Sequence, residues 1–215
     1  MSATDLVWAA GRIWIGGPVR AATRARFYGA ERVPAEGGIV VASNHFSWLD
    51  PPLVGTSCPR RIQFVAKIEA HRVPGLGQLI RAHGTMAIRR GESDREAVRR
   101  MREVVRDGNL LGVFAEGTRQ RSGVPGKVQP GAAMVALNEN VPVIPAAIHG
   151  SQFWKPLNLA PVSIVWGEPV TFQGMPAGSK GYRQASERIE AELRRLWEWL
   201  REQHAAGRPR RVTLP

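Results

Sequence analysis

The chain has 215 residues, 43% of them apolar, with seven tryptophans and a single cysteine, which excludes a disordered chain, a disulfide framework and a cysteine-based metal cluster. Thirty lysines and arginines against eighteen acidic residues give a formal net charge of +12. So basic a balance points to an anionic partner (nucleic acid, an anionic membrane surface or a phosphorylated substrate), although a solvated arginine-rich surface would carry the same charge.

The length suits one domain with its own core. At the N-terminus Leu6 to Val19 is the most apolar stretch, but Arg12 and Gly16-Gly17-Pro18 interrupt it, and a bilayer span needs roughly 20 apolar residues. Met1 to Asp5 holds no basic side chain, so the start does not read as a secretory signal either. Thr4 or Asp5 can cap a short helix carrying Leu6, Trp8, Ile13, Trp14 and Ile15, which suits packing over a core and docking at a lipid headgroup boundary equally. Residues 1–26 are therefore expected to form an amphipathic helical segment apart from the main domain, 27–206, with a basic tail over 207–215.

Phe27 to Val33 reads as an early strand, and Pro34 to Gly38 as the turn into the central strand Ile39-Val40-Val41-Ala42. Next comes Ser43-Asn44-His45-Phe46-Ser47-Trp48-Leu49-Asp50. His45 and Asp50 cannot face one point on a continuous helix, since five steps of about 100° leave them roughly 140° apart. The segment must turn. Pro51 suits the first position of a helix, so His45 is expected at a strand end and Asp50 near the N-cap of the next helix, with the carboxylate folded back toward the imidazole. An imidazole held in that way is a general base, and the alternative is a helix-start histidine beside an ordinary cap.

Arg61 to Ala66 alternates as a strand closed by Lys67, Pro74 to Arg81 is helix-like with Leu76, Leu79 and Ile80 inward, and Thr85 to Ile88 is a short strand leading to Arg89-Arg90. A guanidinium at a strand end offers a planar donor fork to a phosphate monoester. It is equally an exposed arginine pair. Ser93-Asp94-Arg95-Glu96 is a capping box before a helix with Ala97, Val98, Met101, Val104 and Val105 on one face. The arginines of that helix alternate with acids and hold no aromatic residues among them, which fits an ion-paired surface and not a nucleic-acid groove.

Leu110 to Ala115 is a buried strand delivering Glu116-Gly117-Thr118-Arg119 at its C-terminal end, where open α/β sheets bind ligands. Gly117 lets backbone approach an anion, Thr118 adds a hydroxyl, Arg119 adds charge, and Glu116 either positions Arg119 or orients an acceptor hydroxyl. A helix over 132–140, the strand Val141 to Ile148 with Pro142 and Pro145, a last strand Val162 to Trp166 and an amphipathic helix from Lys180 to about Gln203 complete the domain. The two prolines imply an edge or interrupted strand. His83, His149 and Cys58 read as structural, and the tail Arg208 to Arg211 as a disordered cationic strip.

Asn44-His45-Phe46-Ser47-Trp48-Leu49-Asp50 resembles the N-H-x-S-x-x-D block of the glycerolipid acyltransferase family, to which 1-acylglycerol-3-phosphate acyltransferases belong. Gly84 to Arg90, Glu116 to Arg119 and Val141 to Ile148 resemble that family's next three blocks, with Ala115 and Gln120 standing where proline and serine are usual. The resemblance implies a single α/β domain whose central mixed, mostly parallel sheet is flanked by helices. It implies His45 and Asp50 as the catalytic pair, Arg90, Glu116, Gly117, Thr118 and Arg119 as substrate-binding residues, and further contributions from Asn44, Ser47 and Lys67. The implied reaction moves a fatty acyl group from acyl-CoA or acyl carrier protein to a lysophospholipid hydroxyl, with no metal and no cofactor beyond the acyl donor. The implied place is the cytoplasmic face of the membrane, peripherally bound. Another lysolipid or a glycolipid acceptor would suit the same base, and a non-catalytic basic binding protein is the alternative from another class.

Overall fold

The computed structural model describes residues 3–88 and 94–215. Helix α1 (Ala3–Gly11) continues through a π-helical turn at Arg12–Gly16 into α2 (Gly17–Ala22), so the N-terminal segment is one long helical element. Strand β1 (Arg26–Tyr28) is shorter than its sequence suggests: Gly29, at φ +71°, diverts the chain into a 3-10 turn over Ala30–Arg32. Then come β2 (Ile39–Ser43), α3 (Asp50–Ser57), β3 (Ile62–Lys67), α4 (Ile68–Arg72), α5 (Leu76–Ala82) and β4 (Met86–Ile88). The second half holds α6 (Asp94–Arg106), β5 (Leu110–Phe114), α7 (Gly131–Glu139), β6 (Val143–His149), β7 (Ser163–Trp166) and α8 (Ser179–Ala205).

Among the described residues seven strands form one sheet in the order β1-β7-β6-β2-β5-β3-β4. Every pairing is parallel except β6 with β7, the mixed, mostly parallel arrangement that was expected. Apolar side chains leave both faces. Val40, Ala42, Leu111 and Val143 pack with Met101 and Val105 of α6, Val135 of α7 and Ile189 and Leu193 of α8. Val41, Leu110, Ile144 and Ile164 pack instead with Leu53 and Val54 of α3. The N-terminal element lies over α3, close enough that a Cβ on Gly16 would come within 2.1 Å of the Thr56 side chain. Arg12 donates to the Thr56 carbonyl at 3.2 Å.

Several expectations need correction. The proline-bearing strand β6 is central, between β7 and β2. A strand residue directs its N–H and C=O to the same neighbour, and the Pro145 carbonyl accepts the Gly167 N–H at 2.8 Å, one residue past the end of β7. The missing donor therefore faces Gly167, where β7 itself has already ended. Leu79, expected inward, is 40% exposed. The tail is docked, not loose: Arg208 is buried and donates to the Arg24 and Val162 carbonyls, and Tyr28 Oη donates to Pro209 O. Ser93 of the expected capping box lies outside the described residues, while Val98, Met101, Val104 and Val105 are buried on one face of α6 as its periodicity requires. Arg99 and Arg100 reach Glu96, and Arg102 and Arg106 reach Glu139 of α7.

Candidate active site

Central β2 is parallel to both its neighbours, β5 and β6, so the three strands point their C-terminal ends the same way. The segment after β2 turns sharply there. Leu49 is the N-cap of α3, and Asp50 and Pro51 open the helix, where a carboxylate is favoured by the unpaired N–H groups and the helix dipole. Asp50 is fully buried. Its Oδ2 accepts three hydrogen bonds, from His45 Nδ1 at 2.8 Å, from Phe46 N–H at 2.6 Å and from Ser47 N–H at 2.7 Å. Two backbone amides thus fix the oxygen that holds the imidazole.

Since that carboxylate oxygen is an acceptor, Nδ1 carries the ring proton and Nε2 presents its lone pair. Among the described residues nothing is bonded to Nε2, and the His45 side chain keeps 15% of its surface exposed, enough for a small group to reach it. The ring stacks on Phe114, with centroids 4.1 Å apart and planes 23° from parallel. Phe114 stacks in turn on Phe64 at 5.8 Å. Sequence reading did not single out Phe114; its signal was position, as the last residue of the strand beside β2.

The Glu116 to Gln120 segment clasps the histidine's backbone from both sides. Glu116 Oε2 accepts the His45 N–H at 2.8 Å, and the Gln120 N–H donates to His45 O at 2.8 Å. Glu116 Oε1 accepts the Gly126 N–H, also at 2.8 Å. Both Glu116 oxygens are thus engaged by backbone and the residue is only 5% exposed, so in this geometry it ties the His45 turn to the loop after β5 and makes no hydrogen bond to Arg119. Burial pushes its carboxyl up to about 7, against the two amide donors and with help from the nearby Asp50 charge.

Gly117 sits at φ +70°, a conformation that disfavours a side chain. Gly117, Thr118 and Arg119 are exposed, and the Arg119 guanidinium lies 4.3 Å from the Trp48 ring centroid, which keeps a cation on the same side of the sheet as the His45–Asp50 pair. Asn44 is buried and ties β2 to β6, donating to Ile148 O at 3.0 Å and accepting from Ile148 N–H at 2.8 Å. Both ends of its amide are used in this tie, and the residue is fully buried. Ser47 contributes its N–H to Asp50, and its hydroxyl accepts the Leu49 N–H at 3.3 Å, a turn-forming role. Lys67 closes β3 opposite Ile88, its side chain outside the described set, and Arg90 lies outside the described residues altogether.

Among the described residues none of His149, His204 and Cys58 is bonded to the His45–Asp50 pair. His149 and His204 meet edge to face at 4.6 Å, His204 Nε2 pairs with Ser163 Oγ at 3.0 Å, and burial holds the two rings down to about 4 and about 3 respectively. Cys58 is buried, and desolvation raises its thiol to about 11, which makes it an inert packing residue.

Residues 24–149 match the family model described as Acyltransferase. A 1-acyl-sn-glycerol-3-phosphate acyltransferase of Bacillus subtilis is 26% identical over 147 residues, which is 67% of this chain and 73% of that one. A lyso-ornithine lipid O-acyltransferase of Pseudomonas aeruginosa is 37% identical over 108 residues, covering 49% of this chain and 41% of the relative. Among solved structures, a 1-acyl-sn-glycerophosphate acyltransferase from Thermotoga maritima superposes with a TM-score of 0.64 over 86% of this chain and 80% of the other, at 24% identity, a likeness of fold. With the matched region reaching from before β1 to the end of β6 and enclosing the His45 turn and the Glu116 segment, the chain belongs to the acyltransferase family.

Proposed function

We propose that this acyltransferase moves a fatty acyl group from the thioester of coenzyme A or acyl carrier protein to the free hydroxyl of 1-acylglycerol-3-phosphate, giving phosphatidic acid. The observation that carries the proposal is the triply bonded Asp50 oxygen holding His45 Nδ1, because it leaves Nε2 as a fixed base beside a cationic, glycine-bearing loop. Nε2 takes the proton of the acceptor hydroxyl as its oxygen attacks the thioester carbonyl. The carbon–sulfur bond breaks, and the imidazolium returns the proton to the departing thiolate. A base of this kind contributes about 10² to 10⁴ to the rate, and orientation of the two substrates provides more. Asp50 stabilises the imidazolium formed in between.

The acceptor's phosphate is assigned to Arg119 with Gly117 and Thr118. Support comes from their exposure and from the two hydrogen bonds that bind their segment to the His45 backbone. Docking on a membrane is supported by the N-terminal element, where Ile13 is 68% and Trp14 79% exposed. No helix among the described residues is long and apolar enough to cross a bilayer, so the proposed attachment is peripheral.

A second reading, transfer to another lysolipid, is favoured by the Pseudomonas aeruginosa relative. An acceptor panel separates the two: lysophosphatidic acid and unphosphorylated lysolipids are offered with a series of acyl-CoA and acyl-ACP donors, and the product lipids are identified. Phosphatidic acid as the main product supports the first reading; its absence beside another acylated product overturns it. Arg119→Ala should raise KM for lysophosphatidic acid about tenfold, the worth of one charge-assisted contact, with little change in kcat. An unchanged KM would remove the phosphate role.

A further inference from the structure

We infer that the two loops flanking the catalytic side, residues 117–127 after β5 and 150–161 after β6, form a surface that inserts into an anionic lipid bilayer. The inference rests on the lipid-acceptor reading above and goes beyond the N-terminal element. The 150–161 loop holds apolar side chains out in water: Phe153 is 58% exposed, Leu159 44% and Leu157 fully exposed.

This loop is built, not loose. Asn158 Oδ1 accepts the N–H groups of Lys155 at 2.8 Å and Ala160 at 3.1 Å, and Asn158 Nδ2 donates to Phe153 O at 2.8 Å. Trp154 Nε1 donates to Ala22 O at 3.1 Å, and Arg24 donates to Leu159 O at 3.2 Å, which fastens the loop to the end of the N-terminal helical element. Leu159 itself sits at φ +43°, a conformation unfavourable for leucine. A hydrogen-bonded turn that tolerates strain to present leucine and phenylalanine to solvent needs an apolar medium to receive them.

The neighbouring loop continues the surface. Gln152 Nε2 donates to Gly123 O at 3.3 Å, and Val124 and Trp48 beyond it are 45% and 59% exposed. The charge is one-sided. Residues 117–131 and 150–167 contain no aspartate or glutamate, whereas Arg119, Arg121, Lys127 and Lys155 are exposed there. Protruding aromatic and leucine side chains among cations that form no ion pair among the described residues match the interfacial layer of an anionic bilayer. An acidic acyl carrier protein would answer the charge but not the fully exposed leucine. Insertion here would bring the lipid acceptor to the same sheet edge as His45.

The test is partition onto vesicles of phosphatidylglycerol and phosphatidylethanolamine, measured by flotation for the native chain, Leu157→Ser and Phe153→Ser/Leu157→Ser, alongside turnover on a short-chain, monomerically dispersed lysophosphatidic acid. Leu157 is wholly exposed, so its single variant folds as the native chain does. The expected result is a vesicle partition constant reduced about threefold in the single variant and tenfold or more in the double, with turnover on the dispersed acceptor unchanged. Native-like partition in the double variant overturns the inference, and so does weakened binding to acyl carrier protein with vesicle binding intact. If the native chain turns over no acceptor, the proposed reaction fails while the vesicle arm still reads the surface.

Discussion

Glu116 shows at the scale of one residue how the site is held and how it answers to pH. Its two oxygens join the His45 amide to the Gly126 amide, so one buried carboxyl fastens the His45 turn to the loop after β5. With its pKa raised from 4.5 to about 7, the unfolded chain ionises this group before the folded one does. Stability from this group is fully present below pH 4.5 and is lost as pH rises through about 7, by on the order of 3 kcal/mol. Urea unfolding of Glu116→Gln, compared with the native chain across that window, should lack this fall. The variant should also be less stable throughout by about 1–3 kcal/mol, because an amide cannot accept from both backbone donors. A Gln variant that keeps the native pH slope would contradict the assignment. From sequence, the Glu-Gly-Thr-Arg segment was visible but its glutamate was read as positioning Arg119 or orienting an acceptor hydroxyl: nothing in a linear pattern says which oxygen meets which amide.

At the scale of an element, β6 was legible as an apolar strand, and its neighbours were not. Its prolines argued for an edge; pairing with β2 on one side and β7 on the other, with the Pro145 gap falling beyond the last residue of β7, made it central. Asn44 has the same lesson, since its bonds to Ile148 join positions 104 apart in sequence. Asn44→Ala should leave a buried N–H and C=O of Ile148 without partners and cost about 2–4 kcal/mol, read as a lowered urea midpoint at unchanged m-value. Stability within 0.5 kcal/mol of native, roughly the scatter of neutral surface changes, would show that the tie is dispensable. Gly112 makes a comparable prediction on β5: a Cβ there would stand 2.5 Å from Ile62 Cγ2 and 2.6 Å from Phe64 Cδ1. Gly112→Ala should therefore cost about 1–3 kcal/mol by overpacking, measured in the same titration, and a neutral result would mean that Phe64 has room to move.

Over the whole molecule, the tail and α8 close onto the β1–β7 edge, and their charges set the acid limit of the fold. His149 and His204 meet Trp197, Phe153, Gln152 and Ser163, with Arg201, Arg208 and Arg26 as nearby cations and, among the described residues, no carboxylate bonded to either ring. Their folded pKa values lie below the usual 6.5, so the stability that depends on neutral rings is present above pH 6.5 and lost as pH falls toward about 4 and about 3. Two such groups outweigh the opposite trend of Glu116, and the native chain should lose stability on acidification from pH 6.5 to 4. His204→Gln should flatten that loss in urea titrations; an unaltered acid slope would contradict it. None of this was readable from composition, which gave the net charge but not that the tail's Arg208 is buried. The central claim is that His45, held by Asp50, deprotonates the acceptor. It is tested most directly by the kcat of His45→Ala for transfer from a labelled acyl thioester to the acceptor found in the panel, with far-ultraviolet circular dichroism unchanged. The account predicts a fall of about 10² or more; turnover within a few-fold of native would contradict it.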